Sequence, residues 1–405
     1  MPLPQLPSGL REVPLYRHYP VHWTTEASRG LEQFQTLPLI TKTDLRRDFP
    51  RNFLPAEADL EEMIERGVVE LEHTSGTSEE RTPLLLPAGW WREQEERAMR
   101  LNPLVARVLD EFPEARRVTI SSPVCSGEIC YRGVPSRADR TLGNSLYVSL
   151  SRFPFLWSES DLARMAAEAA AWQPQFLDVD PVYGVVFALY CERHGIRLPS
   201  LQFVLCTYEF VSVAHRRILE RVFGVPVLDL YGSTETGHLL MEFNGGMRPS
   251  CHTAFLEVIN RDEQGIGELV VTTLTNGFMP LVRYWIGDLV EQGGSAQPGY
   301  LVHGRVMDAL QANGRRVTTL QVDRCFAGLP GIAHYQLIRG GEELVLRYVP
   351  DGHGPDASVK EEIQRRLSRL LESPVRLHPH TLLMPESSGK FRLVALERRG
   401  HGAHE

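Results

Sequence analysis

The sequence predicts an α/β protein. A large N-terminal domain over residues 1–304, with mostly parallel sheets and a β-rich subdomain, precedes a small α+β C-terminal domain over residues 305–405. Three observations predict it. From residue 68 to about 230, helical stretches such as DLARMAAEAAAW (161–172) and SVAHRRILERVFG (212–224) alternate with short apolar runs such as LQFVLC (201–206). Alternation of this kind is the pattern of parallel strands joined by helices. Residues 252–290 change character: FLEVI, GELVVTTL and PLVRYWIGDLVE are rich in β-branched and aromatic residues, the composition of a β-subdomain. After GYLVHGR (299–305) come strand-like VTTLQV, then YQLIRGGEELVLRYV with a turn at Gly340-Gly341, then a helix, VKEEIQRRLSRLLE. That is a compact unit of about 100 residues.

The elements follow in order. Residues 1–55 carry many prolines, scattered aromatics and one basic turn, LITKTDLRRDF, and read as a tail laid over a body. AEADLEEMIERG (56–67) reads as a short amphipathic helix closed by Gly67. Val225, Val227, Leu228 and Leu230 read as a buried strand, and the run after it, Tyr231 to Gly237, holds hydroxyls, glycines and one carboxylate. The chain of 405 residues is 42% hydrophobic and 23% charged, which is ordinary globular composition. A net charge of -8 gives no reason to expect nucleic acid or an anionic membrane as partner. No apolar run approaches the ~20 residues of a membrane span. The N-terminus lacks the apolar core of a signal peptide, and six cysteines are too sparse for a disulfide scaffold. A cytoplasmic location with reduced thiols is the expectation.

Five stretches have chemical potential, each beside a plain reading. HTSGTSEERTP (73–83) can point backbone N–H groups and hydroxyls at phosphate, with Arg81 adding charge; it can equally be an exposed polar loop. In YGSTETG (231–237), Thr234 is a candidate phosphate ligand and Glu235 a candidate Mg²⁺ ligand, a hard oxygen donor for a hard cation; Tyr231 could stack on a base. In VRYWIGDLVE (282–291), Asp288 after Gly287 at a strand end can accept two bonds from a ribose diol; a Gly-Asp hairpin turn is the alternative. HGRVMDALQANGRRV (303–317) places Asp308 near the domain boundary, as a hinge or as plain linker. MPESSGKFRLV (384–394) offers Lys390 on a late loop, as a cation for a phosphoryl-type transition state or as a solvated side chain.

Taken singly these are weak, but their order and spacing are not. Together they resemble the acyl-adenylating superfamily of acyl-CoA synthetases, peptide-synthetase adenylation domains and luciferases. The short length and the stretch FLDVDPVYGVVFALYCERHGIRLPSLQFVLCTYE look closer to the branch of phenylacetate–CoA ligases and luminescence acyl-protein synthetases. The similarity spans roughly residues 35–395. It implies ATP and Mg²⁺ as cofactors, a carboxylic acid as substrate and CoA as co-substrate. Thr74, Ser75, Gly76, Thr77 and Ser78 would form the phosphate loop. Tyr231 and Gly232 would face adenine and the acyl group, with Tyr208 and Glu209 in the loop beside adenine. Thr234 would meet the α-phosphate, Glu235 the metal, and Asp288 the ribose, with Arg305 nearby. Asp308 would be the hinge of a mobile lid, and Lys390 the catalytic lysine. His252 would line the acyl pocket.

Some positions depart from the family pattern. The phosphate loop usually continues with a lysine; here it reads Glu79-Glu80-Arg81-Thr82-Pro83. The usual Tyr-Arg-Thr-Gly-Asp reads Tyr284-Trp285-Ile286-Gly287-Asp288, and Cys206-Thr207 replaces a glycine-rich approach to Glu209. Two alternatives follow: an adenylating enzyme that hands its acyl group to a carrier protein or an amine, or a catalytically silent ligand-binding relative. Cys125, Cys130 and Cys251 with His252 could make a zinc site, but a C-x4-C pair with a distant Cys-His is no strong signature, and ordinary thiols are expected. Trp90-Trp91 and FPFLW (153–157) could shape an aryl pocket or simply be core.

Overall fold

The computed structural model describes residues 10–18, 27–74, 81–123, 135–293, 299–340, 343–386 and 389–396. Ser75, Gly76, Thr77 and Ser78 of the expected phosphate loop lie outside the described residues, as do Cys125 and Cys130. The protein is mixed α/β, as the alternation predicts. The chain divides into two compact units: Met1–Ala106 with Leu230–Leu301, and Arg107–Asp229 with Val302–Glu405.

The first unit is antiparallel. Strands Val69–His73 and Pro83–Pro87 form a hairpin with Val69 opposite Pro87. Strands Ala254–Ile259, Ile266–Thr273 and Tyr284–Gln292 make the β-rich region expected for 252–290. The predicted tail is not a tail. Tyr16, Phe34, Leu37, Ile40, Leu45, Phe53 and Leu54 are buried in one cluster with Leu84, Trp90 and Tyr284. Polar contacts fix the segment too. Tyr16 Oη donates to Pro280 O at 2.7 Å, and Ile40 pairs with Tyr284 in an isolated parallel bridge. The buried Arg283 pairs with Glu257 at 3.2 Å and donates to the carbonyls of Gln35 and Leu37. Spaced prolines hide this role in the sequence, because they break the periodicity that marks core residues.

The second unit carries the parallel sheet. Strands run Ser145–Tyr147, Arg117–Ile120, Phe176–Val179, Phe203–Cys206, then Val227–Asp229, all parallel. Helix ends follow the local signals. Ser158 caps Glu159–Trp172, and Ser212 caps Val213–Phe223, which Gly224 closes. Asp180 caps Pro181–His194, with Pro181 in the first turn and Gly195 at the end. The core between sheet and helices includes Val118, Leu177, Val185, Phe187, Val204 and Ile218.

Residues 302–405 belong to this unit. Strands Val375–Pro379, Glu343–Pro350, Ile332–Gly340 and Val394–Leu396 lie side by side, and helix Ala357–Leu371 covers them with Ile363, Leu367 and Leu371. VTTLQV differs from its strand-like reading. The strand stops at Val317, and Thr318 and Gln321 form a capping box that opens helix Thr319–Arg324. Within the unit this segment is tied to helix Val213–Phe223: Asp323 accepts from Val213 N, Arg217 donates to Ile332 O at 2.7 Å, and Arg221 pairs with Asp351 at 2.7 Å. His215 and His334, both buried, share a hydrogen bond of 3.0 Å.

That histidine pair sets a pH dependence. Burial pushes His215 down to about 3, with Arg217 adding to the effect, and burial together with His215 holds His334 well below the usual range. In the unfolded chain both titrate near 6.5. Stability from the neutral pair is therefore full above that pH and lost as pH falls toward 3, at about 1.4 kcal/mol per pH unit for one group. Burial raises Asp323 to about 7, so its contribution has the opposite sign and is lost as pH rises through 7. The measurement is therefore a difference. On going from pH 7 to 5 the denaturation midpoint of the wild type is expected to fall relative to that of His215→Gln. Parallel curves would mean the pair protonates in the fold.

Among the described residues no helix is long and apolar enough to cross a membrane.

Candidate functional site

In the first unit the hydroxyl-rich run is a hairpin. Strand Val227–Ser233 turns through residues 234–236 into strand Gly237–Phe243, with Ser233 opposite Gly237. Gly232 is required by close approach: a Cβ there would lie 2.4 Å from Gly237 O. Thr234 is half-buried in the turn, and Thr236 N donates to Ser233 O at 3.2 Å.

Glu235 points inward and is 5% exposed. Its Oε1 lies 2.9 Å from Lys42 Nζ and accepts the Tyr284 hydroxyl at 3.1 Å. Burial raises its carboxyl pKa, but the charge and hydrogen bond of Lys42, with hydrogen bonds from its own backbone N–H and from Ser233, together offset this and bring it below the ordinary range. The pairing follows from local structure. Ile40 bridges to Tyr284, Thr41 then caps the helix Lys42–Arg46 with its backbone N bonded to Asp44 Oδ2 at 2.9 Å, and Lys42 is carried to Glu235. Lys42→Ala is expected to raise the Glu235 pKa. Titration of the glutamate carboxyl resonances reads this directly, and an unmoved midpoint would dismiss the ion pair.

Asp288 lies inside strand Tyr284–Gln292, not at its end and not in a hairpin turn. The register jumps there: Glu268 faces Leu289 while Val270 faces Trp285, so Ile286, Gly287 and Asp288 stand against Leu269 alone. Such a bulge re-aims a side chain. Asp288 Oδ2 accepts the Tyr231 hydroxyl at 2.6 Å. Trp285, in the place of the usual arginine, donates to Glu268 at 2.7 Å. The Thr74 hydroxyl accepts from Thr82 N at 3.0 Å. Arg81 is exposed, and so are His252 and Cys251 in the turn after Pro249.

In the second unit, Lys390 is half-buried on a tight turn. Glu386 N donates to Lys390 O at 2.7 Å, and Gly389 N to Glu386 O at 2.9 Å. Gly389 has φ +88, and a Cβ on it would lie 2.5 Å from Ser122 Oγ. Phe391 N donates to Glu209 Oε1 at 2.7 Å. Ser122, Asp180 and Glu209 follow three parallel strands, so the turn rests at the carboxyl ends of that sheet, where α/β folds place ligands. Burial raises Asp180 to about 7, opposed by the amides of Val182 and Tyr183 and by Lys390. Burial also holds Glu209 well above the usual range, with Asp180 adding and Lys390 opposing.

Tyr208 has φ +71, an unusual conformation for a bulky side chain. Its hydroxyl donates to Asp178 Oδ2 at 3.3 Å, and Thr207 donates to Asp178 Oδ1 at 2.7 Å. Burial, then the Asp178 charge, raises the Tyr208 pKa. Asp308 is buried in the short turn Val306–Asp308, 3.4 Å from Arg392, which also pairs with Glu386 at 2.7 Å. Arg305 is exposed at the end of strand Tyr300–Arg305. Among the described residues no group of three or more His, Cys, Asp or Glu side chains could hold a metal ion.

No family model matches the sequence. Over 190 residues the chain is 28% identical to the phenylacetate-coenzyme A ligase of Thermus thermophilus, a match covering 41% of this chain and 42% of that protein. The chain thus spans less than half the length of that relative. Solved structures agree over far more. A 2-hydroxyisobutyryl-CoA ligase in its postadenylation state, bound to R3-HIB-AMP, aligns with a TM-score of 0.64 at 17% identity, covering 91% of this chain and 82% of its own. The chain has the acyl-adenylating ligase fold. The anthranilate CoA ligase AuaEII, bound to anthranoyl-AMP, shares it with a TM-score of 0.55 at 14% identity, over 80% of this chain and 65% of its own. ATP-bound MatB from Rhodopseudomonas palustris shares it at 0.51 and 13%, over 79% and 65%.

Within this ligase fold, sequence reasoning missed four residues: Lys42, Tyr284, Asp180 and Tyr183. Lys42 stands in the basic turn LITKTDLRRDF, and Asp180 is the cap before Pro181, so both have a visible local signal. Tyr284 opens the motif Tyr284-Trp285-Ile286-Gly287-Asp288 and so has a local signal too, whereas nothing local distinguishes the hydroxyl of Tyr183.

Proposed function

We propose that the chain is an AMP-forming acid–thiol ligase. A carboxylate oxygen attacks the α-phosphorus of ATP, the bond to pyrophosphate breaks, and an acyl-adenylate forms. A thiol, CoA by this reading, then attacks the acyl carbon; AMP leaves and the thiol proton goes to solvent. The observation that carries the reading is the seat of Lys390: a late lysine held beside Glu209 at the carboxyl ends of the parallel strands. In the ligase fold its ammonium would meet charge developing on the α-phosphate.

Glu235 would hold Mg²⁺. The chemistry fits: one buried carboxylate kept ionised, its present cation partner Lys42 being 43% exposed and so displaceable. Mg²⁺ takes one or two protein carboxylates and completes its shell with water and phosphate oxygens, so no larger acidic cluster is needed. When bound it neutralises phosphate charge. Asp288 would take the ribose, Thr234 the α-phosphate, and Thr74 would close the phosphate loop. Asp308 would be the hinge of a lid formed by residues 305–405, its ion pair with Arg392 linking it to the lysine turn.

A screen of carboxylic acids for pyrophosphate release, with and without CoA, tests this. Release with some acid, and thioester only with CoA, is expected. Release without CoA consumption would favour a carrier-protein or amine acceptor. No release across a broad panel would sink the ligase reading.

A further inference from the structure

We propose that Glu209 and Tyr183 are positioning residues for Lys390, gripping the peptide groups on either side of it. The proposal rests on the ligase reading for its consequence in catalysis, but the grip itself can be tested without it.

On the far side of the lysine, Phe391 N donates to Glu209 Oε1 at 2.7 Å. On the near side, Gly389 O accepts the Tyr183 hydroxyl at 3.2 Å; the same hydroxyl also reaches Arg152 O at 2.7 Å. The Phe391 ring is 8% exposed and meets Phe155, Tyr183 and His334 edge-on, with centroids 5.8, 6.3 and 5.1 Å away. Gly389 lies so close to Ser122 that no side chain fits. The backbone is thus fixed at residues 389 and 391, while the Lys390 side chain is half-buried. A fixed backbone carrying a long flexible amine delivers that amine to a small region. That is what a catalytic lysine on a loop needs, because misplacement by about 1 Å can cost on the order of a hundredfold in rate.

Glu209 has a second part. Its carboxylate and that of Asp180 both feel the Lys390 charge. Asp180 spends Oδ1 on the amides of Val182 and Tyr183 and so is tied to its helix. Glu209 is the one that reaches the lysine turn through its backbone. The two parts separate by substitution: glutamine keeps an oxygen that accepts from Phe391 N and loses the charge, whereas alanine loses both.

The experiment measures the rate at which Lys390 is acetylated by a small amine-reactive ester, read by mass spectrometry against Lys360 in the same molecule. Wild type, Glu209→Gln, Glu209→Ala and Tyr183→Phe are compared, with circular dichroism to check folding. Glu209→Ala and Tyr183→Phe are expected to raise the Lys390 rate at least about threefold and leave Lys360 unchanged; Glu209→Gln stays within about twofold of wild type. With an acid that the enzyme activates, Glu209→Ala lowers kcat for pyrophosphate release about tenfold or more with little change in KM. Equal Lys390 rates in all four proteins overturn the proposal, as does a Glu209→Gln rate equal to that of alanine, since the grip would then not run through the Phe391 amide. Altered labelling in a protein that releases pyrophosphate with no acid upholds the grip and removes the ligase reading alone.

Discussion

Lys390→Ala is expected to reduce acid-dependent pyrophosphate release at least a hundredfold while the protein stays folded. The rate argument is electrostatic. A preorganised cation aimed at developing phosphate charge lowers the barrier by on the order of 3 kcal/mol in such sites, and 1.4 kcal/mol is a factor of about ten. The folding argument is specific to this protein. Removing Lys390 takes away the cation that opposes burial at Asp180 and Glu209, and an uncompensated buried charge is usually costly. Here burial already raises both pKa values, Asp180 to about 7. Without the opposing charge they hold protons more firmly, and a protonated carboxyl carries no charge to bury. The stability loss should therefore be small at pH 6 and grow as pH rises. Thermal unfolding of the variant at pH 6 and 8 measures this beside the rate assay. Wild-type pyrophosphate release would refute the role of the lysine.

Glu235→Gln is expected to cost nearly as much, with a different signature. The side chain keeps its volume and can still accept the Tyr284 hydroxyl, so the hairpin of Val227–Ser233 and Gly237–Phe243 should persist. Lys42 loses its partner but is 43% exposed and can turn to water. What disappears is the one buried, ionised oxygen donor proposed for Mg²⁺. The expected outcome is a fall of about a hundredfold in pyrophosphate release, partly recovered at raised Mg²⁺ concentration, and weaker Mn²⁺ binding in the presence of ATP by paramagnetic relaxation. A variant with unchanged metal dependence and unchanged Mn²⁺ relaxation would remove Glu235 from the metal site.

The parallel sheet is legible in the sequence because its signals are local. Apolar runs of four to six residues, Ser and Asp caps and closing glycines can each be read within a few positions. The antiparallel region is legible for the same reason. The N-terminal segment is not. Its buried residues, from Tyr16 to Leu54, are few and interrupted by prolines, and they become core only because Arg283, Pro280 and Tyr284 accept them. VTTLQV misleads because β-branched residues suggest a strand, whereas the Thr318–Gln321 capping box opens the helix Thr319–Arg324. Asp288 reads as a strand end because Gly-Asp pairs favour turns; the bulge that holds it in mid-strand depends on the register with Ile266–Thr273.

The amino-acid order by itself determined the mixed α/β fold class and supplied the proposed site groups: two acids, a late lysine and a hydroxyl-rich turn. Only the tertiary structure decided their partners. Lys42 is held at Glu235, Tyr231 at Asp288, and Lys390 beside Asp180 and Glu209. Hydrophobic periodicity is a property of neighbours along the chain, whereas Coulomb attraction and hydrogen bonding act through space over a few ångströms. Residues 182 positions apart, such as Glu209 and Phe391, become partners only after the strands and helices between them have packed.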